Sequence, residues 1–481
     1  MLFTDAAFLL RFLPLLLAFF FLAVAVTPPS WRESTRRFSL PNTVLLAGSI
    51  AFLISGAGDF LRVIAASVVC NYSVALAIGW ARRAGAASAR AGLLPEALLT
   101  LAVTGNVVLL GVYKYALPIT GGLSDRSFVV PQLLAPFGLT FIACHGISYV
   151  VDVFRGTTAP QASPVRASLY LVFFPLLCAG PMVRYSDMGP QLAQRRVTMA
   201  GFAYGVRRWL VGLAKVVLLA DTLGVPADAV FAIPAGELGM PQAWLGAVCF
   251  GLQIYFGLSG YADMAIGFGR MFGFRLPENF RWPYAANTLT EFWRRWNISL
   301  MDWCRDYPRL SLADSTSRVS RAHQAQAIVA LFLCVGLWHG PGLNVVVWGM
   351  LHGIVVALEQ RGLSARVRRL PAVLAHAYLV FVVLGLWVVF RAESLQAAGV
   401  MLQAMTGFIA TAEPSSLVLT PRHWMALVIA ALAVMPIWPG FSRWIVAIDA
   451  LTTSALILVS TSCIYVWRRL ANTVLFLIGR R

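Results

Sequence analysis

The sequence predicts an all-α polytopic membrane protein, and three observations carry that prediction. The chain of 481 residues is 59% hydrophobic and only 12% charged, whereas soluble globular proteins carry about 25% charged residues. Its apolar residues fall in a series of runs near the length needed to cross about 30 Å of hydrocarbon. Short basic segments separate these runs, as they do in the loops that fix the orientation of membrane helices. The low fraction of charged residues therefore indicates that much of the protein surface faces lipid.

The apolar runs give the order of the elements. They lie at about 8–26, 43–57, 60–80, 95–117, 129–151, 167–183, 205–222, 243–268, 326–338, 343–359, 372–390, 424–438 and 451–467. Several runs are too short to cross the membrane unaided, or contain Gly and Pro. We therefore expect about 11 true spans, with the other segments re-entrant or broken. We find no repeat and no soluble domain, so 1–481 is predicted to form one membrane-embedded domain.

The start of the chain and its charge each allow two interpretations. The first apolar run could be a signal peptide, but it is long and its start is not basic, so we interpret it as a retained helix. The net charge of +18 could indicate binding of nucleic acid or of an anionic substrate. The basic residues flank apolar runs instead of forming one tract, which is typical of positive-inside topology. We favour topology and expect no nucleic-acid partner.

Residues 270–325 form the longest stretch without a plausible span, and arginines alternate there with tryptophans. Such a composition is typical of a cytosolic or interfacial segment at the membrane–water boundary. From Glu291 to Tyr307 the pattern predicts one amphipathic interfacial helix. The residues on its aromatic face are Phe292, Trp296, Ser299 and Trp303. The pattern does not explain why Asn297 interrupts the aromatic run.

His339 lies in an otherwise apolar region and is followed by Gly340, Pro341 and Gly342. Pro lacks the backbone donor that a helix needs, and Gly loosens a helix, so the sequence predicts a helix break after His339. Irregular backbone in a membrane is tolerated where protein buries it or water lines it. His339 is therefore predicted to face a polar cavity, the alternative being a core histidine bonded to a backbone carbonyl. For His352, taken alone, a structural role is favoured.

These side chains suit acyl transfer better than metal or nucleotide chemistry. No metalloprotease, nucleotide-binding or serine-hydrolase motif is present. The seven cysteines contain no CxxC pair, and no third ligand accompanies His339 and His352, so we expect no metal site. A neutral imidazole can take a proton from an attacking hydroxyl, and an amide can orient that base or bind the oxyanion. The hypothesis requires the fold to bring His339 and Asn297 together.

Seven segments in a fixed order carry a resemblance to a known family. They are FGLTFIACHGISYVVDVFRG (137–156), FFPLLCAGPMVRYSDMGPQL (173–192), GLAKVVLLADTLGVPADAVF (212–231), FGLQIYFGLSGYADMAIGFGRMFGFRLPENFRWPY (250–284), EFWRRWNISLMDWCRDY (291–307), GLWHGPGLNVVVWGMLHG (336–353) and FRAESLQAA (390–398). The ordered set resembles the membrane-bound O-acyltransferase family, in particular its bacterial branch of alginate O-acetylases. The resemblance implies a family core at 137–398.

The resemblance also implies a fold and an activity. The fold would be a ring of about 11 transmembrane helices with re-entrant and interfacial helices around a central tunnel. The activity would be O-acetyl transfer in the bacterial inner membrane, from a cytosolic donor towards hydroxyls of an alginate-like or other extracytoplasmic polysaccharide. The donor would be acetyl-CoA or an acyl-carrier thioester, with no permanently bound cofactor. The implied partners are membrane lipid, the polysaccharide, a polymer synthase complex and a periplasmic acetyltransferase or esterase-like protein.

The family's functional positions fall on particular residues of this chain. Its invariant histidine falls on His339, and its second polar position falls on Asn297, where the polysaccharide-modifying branch usually has histidine. The residues implied to line the tunnel or its cytosolic funnel are Trp293, Arg294, Arg295, Trp296, Arg305, Asp306, Tyr307, Trp338 and His352. The arginines among them would meet phosphates of the donor. A second departure is that 309–324 lacks the Pro-Leu-Gly-Gly element usual in that branch.

Other functions remain as alternatives. The acceptor could be a lipid or a protein, or the chain could relay the acyl group to a periplasmic transferase. A transporter or flippase is a further alternative, and it should carry coupling-ion carboxylates within its spans. The nearest candidates, Asp152 and Asp263, are placed by the sequence close to Gly or aromatic turns instead of mid-span.

Overall fold

The structure is a computed structural model, and it describes residues 2–27, 39–86, 93–116, 138–307, 321–340, 342–408 and 419–436. The regular structure in these ranges is helical, without strands. The first helices are α1 (Leu13–Val26), α2 (Leu40–Ala57), α3 (Leu61–Ala86), α4 (Leu94–Gly111), α5 (Leu139–Arg155), α6 (Pro164–Val172), α7 (Phe174–Leu177), α8 (Tyr185–Ala193), α9 (Met199–Ala214), α10 (Asp221–Phe231) and α11 (Met240–Met271).

The second half of the chain continues in the same way. Its helices are α12 (Leu289–Trp293), α13 (Ile298–Asp306), α14 (Arg321–His339), α15 (Leu343–Leu358), α16 (Ser364–Val367), α17 (Ala372–Arg391), α18 (Leu395–Thr406) and α19 (Pro421–Ala433). Turns of π-helix at Phe8–Phe12, Val112–Ala116, Lys215–Ala220 and Glu359–Leu363 extend or join some of these helices. The predicted break after His339 is confirmed, because α14 ends there and α15 begins at Leu343.

The predicted all-α polytopic membrane architecture is confirmed. Within the described ranges, seven helices are long and apolar enough to cross a membrane: Phe8–Val26, Leu61–Ala84, Leu94–Tyr115, Met199–Phe231, Met240–Met271, Leu343–Val367 and Ala372–Arg391. The predicted run at 167–183 is short and broken into α6 and α7. The predicted run at 451–467 lies outside the described residues. The expected total of about 11 spans stays a prediction.

Glycines allow the long helices to pack closely. In the pair α9 and α11, a Cβ added at Gly212 would lie 2.5 Å from the carbonyl oxygen of Gly260. In the antiparallel pair α14 and α15, a Cβ at Gly349 would clash with the carbonyl oxygen of Phe332. Small residues at such contacts let backbones approach, which is how helices associate in lipid. The second contact sets the height of His339 and His352 relative to each other.

The prediction of one helix from Glu291 to Tyr307 is wrong. Helix α12 ends at Trp293 and α13 begins at Ile298. Asn297 lies between them in the left-handed region, with φ 45° and ψ 51°. Among residues with a Cβ, asparagine is one of those that adopt this region most often, because its short polar side chain can hydrogen-bond to the nearby backbone. Asn297 therefore marks the break, which answers in part why it interrupts the aromatic run.

A neighbouring extended segment takes over the backbone hydrogen bonds at this break. Ile298 N donates to the Asn279 carbonyl at 2.9 Å, and Arg281 N donates to the Arg295 carbonyl at 2.9 Å. The side-chain oxygen of the buried Asn279 also accepts from the Ser299 hydroxyl at 2.8 Å. These bonds satisfy backbone groups that a helix end leaves free, and they hold the segment inside the protein. The aromatic face predicted to be interfacial is largely buried.

Candidate active site

His352 lies at the centre of a cluster of aromatic rings. Its ring centroid is 4.5 Å from that of Trp348, 5.3 Å from that of Trp293 and 6.0 Å from that of Phe332. The side chain is buried, and Nδ1 lies 2.9 Å from the Trp348 carbonyl oxygen. That contact makes Nδ1 the protonated nitrogen, because a carbonyl can only accept. The described contacts of His352 are thus packing contacts and one hydrogen bond, and its place in the tunnel lining stays a prediction.

His339 has a different environment, although it lies on the adjacent helix. Its ring meets those of Trp348 and Phe390 edge to face, with centroids 5.4 Å and 5.1 Å away. The side chain is nevertheless exposed. Among the described residues, none hydrogen-bonds to either ring nitrogen. The described residues therefore do not support the alternative, in which His339 would be a core histidine bonded to a backbone carbonyl. An accessible imidazole with both nitrogens available is suited to proton transfer.

Residues from a distant helix cap the end of α14 that carries His339. Lys114 Nζ donates to the Trp338 carbonyl, and the Tyr115 hydroxyl donates to the Leu337 carbonyl. The last carbonyls of a helix lack intrahelical partners, and a cation at this end also complements the helix dipole. Trp338, predicted to line the tunnel, lies under the Lys114 ammonium at 5.5 Å from its ring centroid. Sequence reasoning did not assign Lys114 or Tyr115 to the site.

A series of stacked and tilted rings connects the His339 region with the break at Asn297. The ring of Trp296, adjacent to Asn297, is 5.2 Å from that of Trp387. The Trp387 ring is in turn 5.9 Å from that of Trp348, which contacts His339. Within the described part of the chain, the half-buried Asn297 carboxamide has no hydrogen-bond partner. The ring contacts thus lead from His339 to Trp296, the residue before Asn297. The described residues show no direct hydrogen bond by which Asn297 would orient the imidazole.

A cavity of about 250 Å³ opens beside the break. Its lining residues are Thr290, Trp293, Arg294, Ile298, Met301, Asp302, Arg305, Phe332 and Val356. Arg305 is ion-paired with Asp302 at 2.7 Å. Arg294 is exposed and has no ion-pair partner among the described residues. The cavity thus combines an apolar wall, which includes Trp293 against His352, with one guanidinium available to an anion.

Other residues predicted to line the tunnel fix the position of α13 and its neighbours. Asp306 forms an ion pair with Arg184, and the Tyr307 hydroxyl donates to Asp152 at 2.9 Å. Arg295 forms an ion pair with Glu291 one turn earlier. These contacts anchor α13 and its neighbours. That the three side chains also line the tunnel stays a prediction. The Asp152 carboxylate also accepts from Ser186 N at 2.9 Å, so both of its oxygens have a hydrogen-bond donor.

Glu359 is a site residue that the sequence reasoning missed. Its carboxylate is buried beyond the end of α15 and accepts from Leu289 N at 2.8 Å, Thr290 N at 2.7 Å and the Thr290 hydroxyl at 2.6 Å. The Tyr378 hydroxyl is a fourth donor, at 3.0 Å. A carboxylate is favoured at a helix N-terminus by the free N–H groups and the helix dipole. Glu359 therefore fixes α12, the helix that places Trp293 against His352.

The carboxylate of Asp263 does not resemble a coupling-ion site. It lies inside the span formed by α11, where it accepts from Arg208 Nε at 2.7 Å and from Lys215 at 2.6 Å. Arg208 also binds Glu278 at 2.6 Å. Two cations and two carboxylates compensate one another, which is the arrangement that makes buried charge tolerable. The expectation that Asp263 lies near a turn is wrong, and its partners favour a structural role over transport.

Comparison with known proteins places the chain in a family. The sequence model of the membrane-bound O-acyltransferase family matches residues 158–395, which include both Asn297 and His339. The chain is 37% identical over 416 residues to a Pseudomonas aeruginosa protein named "Probable alginate O-acetylase AlgI", covering 85% of this chain and 75% of that protein. The chain belongs to the membrane-bound O-acyltransferase family. It is therefore a multi-pass membrane acyltransferase, as the resemblance predicts.

Two further relatives show how far the similarity to other membrane-bound O-acyltransferases extends. The Helicobacter pylori protein named peptidoglycan O-acetyltransferase is 30% identical over 442 residues, covering 85% of this chain and 80% of that protein. The Bacillus subtilis teichoic acid D-alanyltransferase is 23% identical over 237 residues, or 47% of this chain and 59% of that protein. The O-acetyltransferases are thus similar over much more of the chain.

Among the described residues, no group of three or more His, Cys, Asp and Glu side chains could hold a metal ion. The loop at 309–324, with the missing Pro-Leu-Gly-Gly element, lies largely outside the described residues.

Replacing Asn297 with glycine is expected to separate its backbone role from its side-chain role. Glycine adopts the left-handed conformation without strain, so the variant should accumulate in the membrane at the wild-type level. Losing one amide donor at a developing oxyanion costs about 10²–10³ in kcat, so acyl transfer should fall by that order. Asn297→Ala is the matched control, because it removes the same amide but adds about 1–2 kcal/mol of backbone strain. Full activity of the glycine variant would mean that Asn297 contributes only its backbone conformation and that its side-chain amide takes no part in the reaction.

Proposed function

We propose that the chain is an inner-membrane O-acetyltransferase that transfers acetyl groups from a cytosolic donor towards hydroxyls of an extracytoplasmic polysaccharide. The observation that carries the proposal is the state of His339, an exposed imidazole at a helix break with no described hydrogen-bond partner. An ionisable side chain in a membrane helix marks function unless a partner accounts for it. The names of the P. aeruginosa and H. pylori relatives, which specify alginate and peptidoglycan, support a polysaccharide acceptor.

His339 acts as the general base in this proposal. Its neutral imidazole takes the proton of the acceptor hydroxyl while the hydroxyl oxygen forms a bond to the donor's carbonyl carbon. The bond between that carbon and the donor's sulfur then breaks, and the thiolate receives the proton from His339. The rings of Trp348 and Phe390, which contact the imidazole edge to face, hold it in one orientation.

Asn297 contributes to the donor side of the reaction. Its left-handed backbone presents a half-buried carboxamide, for which the described residues provide no partner. An amide N–H can donate to the thioester carbonyl and stabilise the oxyanion as it forms. Because the aromatic rings lie between the regions of Asn297 and His339, the carboxamide acts on the acyl group and not on the imidazole. This is the role that the glycine variant measures.

The cavity beside the break supplies a site for the acyl donor. Arg294 and Arg305 line it together with Trp293, and a guanidinium recognises phosphate by paired hydrogen bonds. The donor in this proposal is acetyl-CoA or an acyl-carrier thioester, both of which carry phosphate. Ligand pockets usually measure about 300–1,000 Å³, so a cavity of about 250 Å³ admits one end of such a donor.

An acceptor assay distinguishes this function from its alternatives. Cells with and without the gene are supplied with labelled acetate, and the label is counted in the polymer, lipid and protein fractions. We expect gene-dependent label in the polymer. Gene-dependent label confined to the lipid or protein fraction would overturn the polysaccharide acceptor.

A reconstituted assay separates direct transfer from a relay. The purified chain in liposomes receives labelled donor on one face and polymer on the other, with and without periplasmic extract. We expect the extract to be required, because the proposed partners include a periplasmic acetyltransferase or esterase-like protein and a polymer synthase complex. Full transfer by the chain alone would remove the periplasmic partner from the proposal.

A further inference from the structure

A large cavity opens at a place where three apolar helices begin or end, two of which, α1 and α9, belong to the candidate membrane spans. Its volume is about 860 Å³. Helix α1 ends at Val26, α2 begins at Leu40, and α9 begins at Met199, and residues next to all three points line the cavity. Since membrane helices end near the head-group region, the cavity lies at the membrane–water boundary. It does not include His339, Asn297 or the residues around them.

Two arginines give this cavity its charge. Arg195 is held in place, because its Nε donates to the Phe272 carbonyl at 2.9 Å and its Nη1 donates to the Asn42 side chain at 2.5 Å. Its guanidinium also lies 4.2 Å from the centre of the Phe274 ring. Arg196 is exposed at the same wall. None of the described lining residues carries a carboxylate, and neither arginine forms an ion pair with any described residue.

The surroundings of Arg195 favour an anion. Burial, and after it the positive charge of Arg166, lowers the pKa of the Arg195 guanidinium to about 9. A partly buried cation without a counter-ion is unfavourable, and a bound anion would offset that cost. The N-termini of α2 and α9, which start beside Ser39 and Thr198 in the lining, add the partial positive charge of helix ends.

The other wall of the cavity is apolar. Phe20 and Val24 of α1 line it, with Pro41 and Leu192. A cavity with fixed positive charge on one side and apolar side chains on the other fits an amphiphile better than a free anion. Basic loops also lie on the cytosolic side of membranes, where anionic lipids accumulate and basic pockets between helices bind their head groups.

We propose that this cavity binds the phosphate head group of an anionic phospholipid of the cytosolic leaflet. Arg195 provides the fixed contact to the phosphate, and Arg196 closes over it from the exposed side. The acyl chains lie along Phe20 and Val24. The site is separate from the proposed acetyl transfer and does not depend on it.

Native mass spectrometry of the full chain in detergent micelles tests this site. The protein is titrated with phosphatidylglycerol or with phosphatidylcholine of the same acyl chains. We expect phosphatidylglycerol to bind about tenfold more tightly, and Arg196→Gln to weaken its binding about fivefold, as expected for one cation near a lipid head group. The matched control is Arg369→Gln, which removes an exposed arginine outside this cavity and should leave the binding unchanged.

Three results would overturn the proposal. The first is equal binding of the two lipids, and the second is an equal effect of Arg196→Gln and Arg369→Gln. The third is displacement of phosphatidylglycerol by inorganic phosphate at the same concentration, because the site would then recognise phosphate without the lipid. Arg196 is exposed, so size-exclusion chromatography should show that its variant is folded.

Discussion

Replacing His339 with alanine is expected to abolish acetyl transfer to the polymer while the amount of protein in the membrane stays the same. Removal of a general base costs about 10²–10⁴ in rate. The folded state loses little, because the imidazole is exposed and no described residue hydrogen-bonds to it. The measurement is polymer-bound acetyl per unit of membrane protein, in cells that lack the wild-type copy. Full acetylation by this variant would contradict the assignment of His339 as the base.

Two further variants make the His339 result specific. His339→Gln keeps a polar side chain of similar size but cannot take a proton at neutral pH, so it should be as inactive as the alanine variant. His376→Ala is the control for loss of a histidine from a membrane helix, because among the described residues its ring has one hydrogen-bond partner, the Ala286 carbonyl at 3.3 Å. That variant should retain most of its activity. A polar role for His339 without proton transfer would instead leave the glutamine variant active.

Replacing Glu359 with glutamine is expected to lower both stability and activity. One carboxylate oxygen accepts from Leu289 N and Tyr378, and the other accepts from Thr290 N and the Thr290 hydroxyl. Glutamine supplies one acceptor oxygen, and its NH₂ group would face two donors. Each buried donor left unpaired costs about 1–3 kcal/mol, so the melting temperature should fall by several degrees. Thermal unfolding in detergent measures this loss.

The kinetic effect of Glu359→Gln distinguishes positioning from stability alone. Glu359 holds α12, and the residues at its end, Trp293 and Arg294, line the cavity proposed for the donor. A displaced α12 should therefore raise KM for the donor, whereas a smaller folded fraction would lower only the apparent kcat. Tyr378→Phe is the graded control, because it removes one of the four hydrogen bonds and leaves α12 capped. An unchanged KM in the glutamine variant would contradict the positioning role.

Some features of the site could be predicted because their causes are local in the chain. Gly340, Pro341 and Gly342 end a helix through their own backbone chemistry, so the position of His339 at a helix end followed from the sequence. Membrane spans are equally local, since about 20 consecutive apolar residues suffice to define one. The family resemblance, carried by residues 137–398, gave the acyltransferase activity.

Other features depend on contacts between residues far apart in the chain. The helical spacing of the aromatic residues continues without interruption from Glu291 to Tyr307. The helix nevertheless breaks at Asn297, because Asn279 and Arg281 offer the backbone other hydrogen bonds. Periodicity describes which face a residue would occupy in a helix. It contains no information on a competing partner.

The sequence by itself determined that this protein is a helical membrane acyltransferase with His339 at the end of a helix. Only the tertiary structure decided what surrounds that histidine. Lys114 reaches the carbonyl of Trp338 from 224 residues earlier in the chain, and Glu359 reaches α12 from 70 residues later. A charged side chain in lipid must be satisfied by whichever groups the fold brings near it. Those groups are set by packing, at contacts such as Gly349 against Phe332, and not by their order in the sequence.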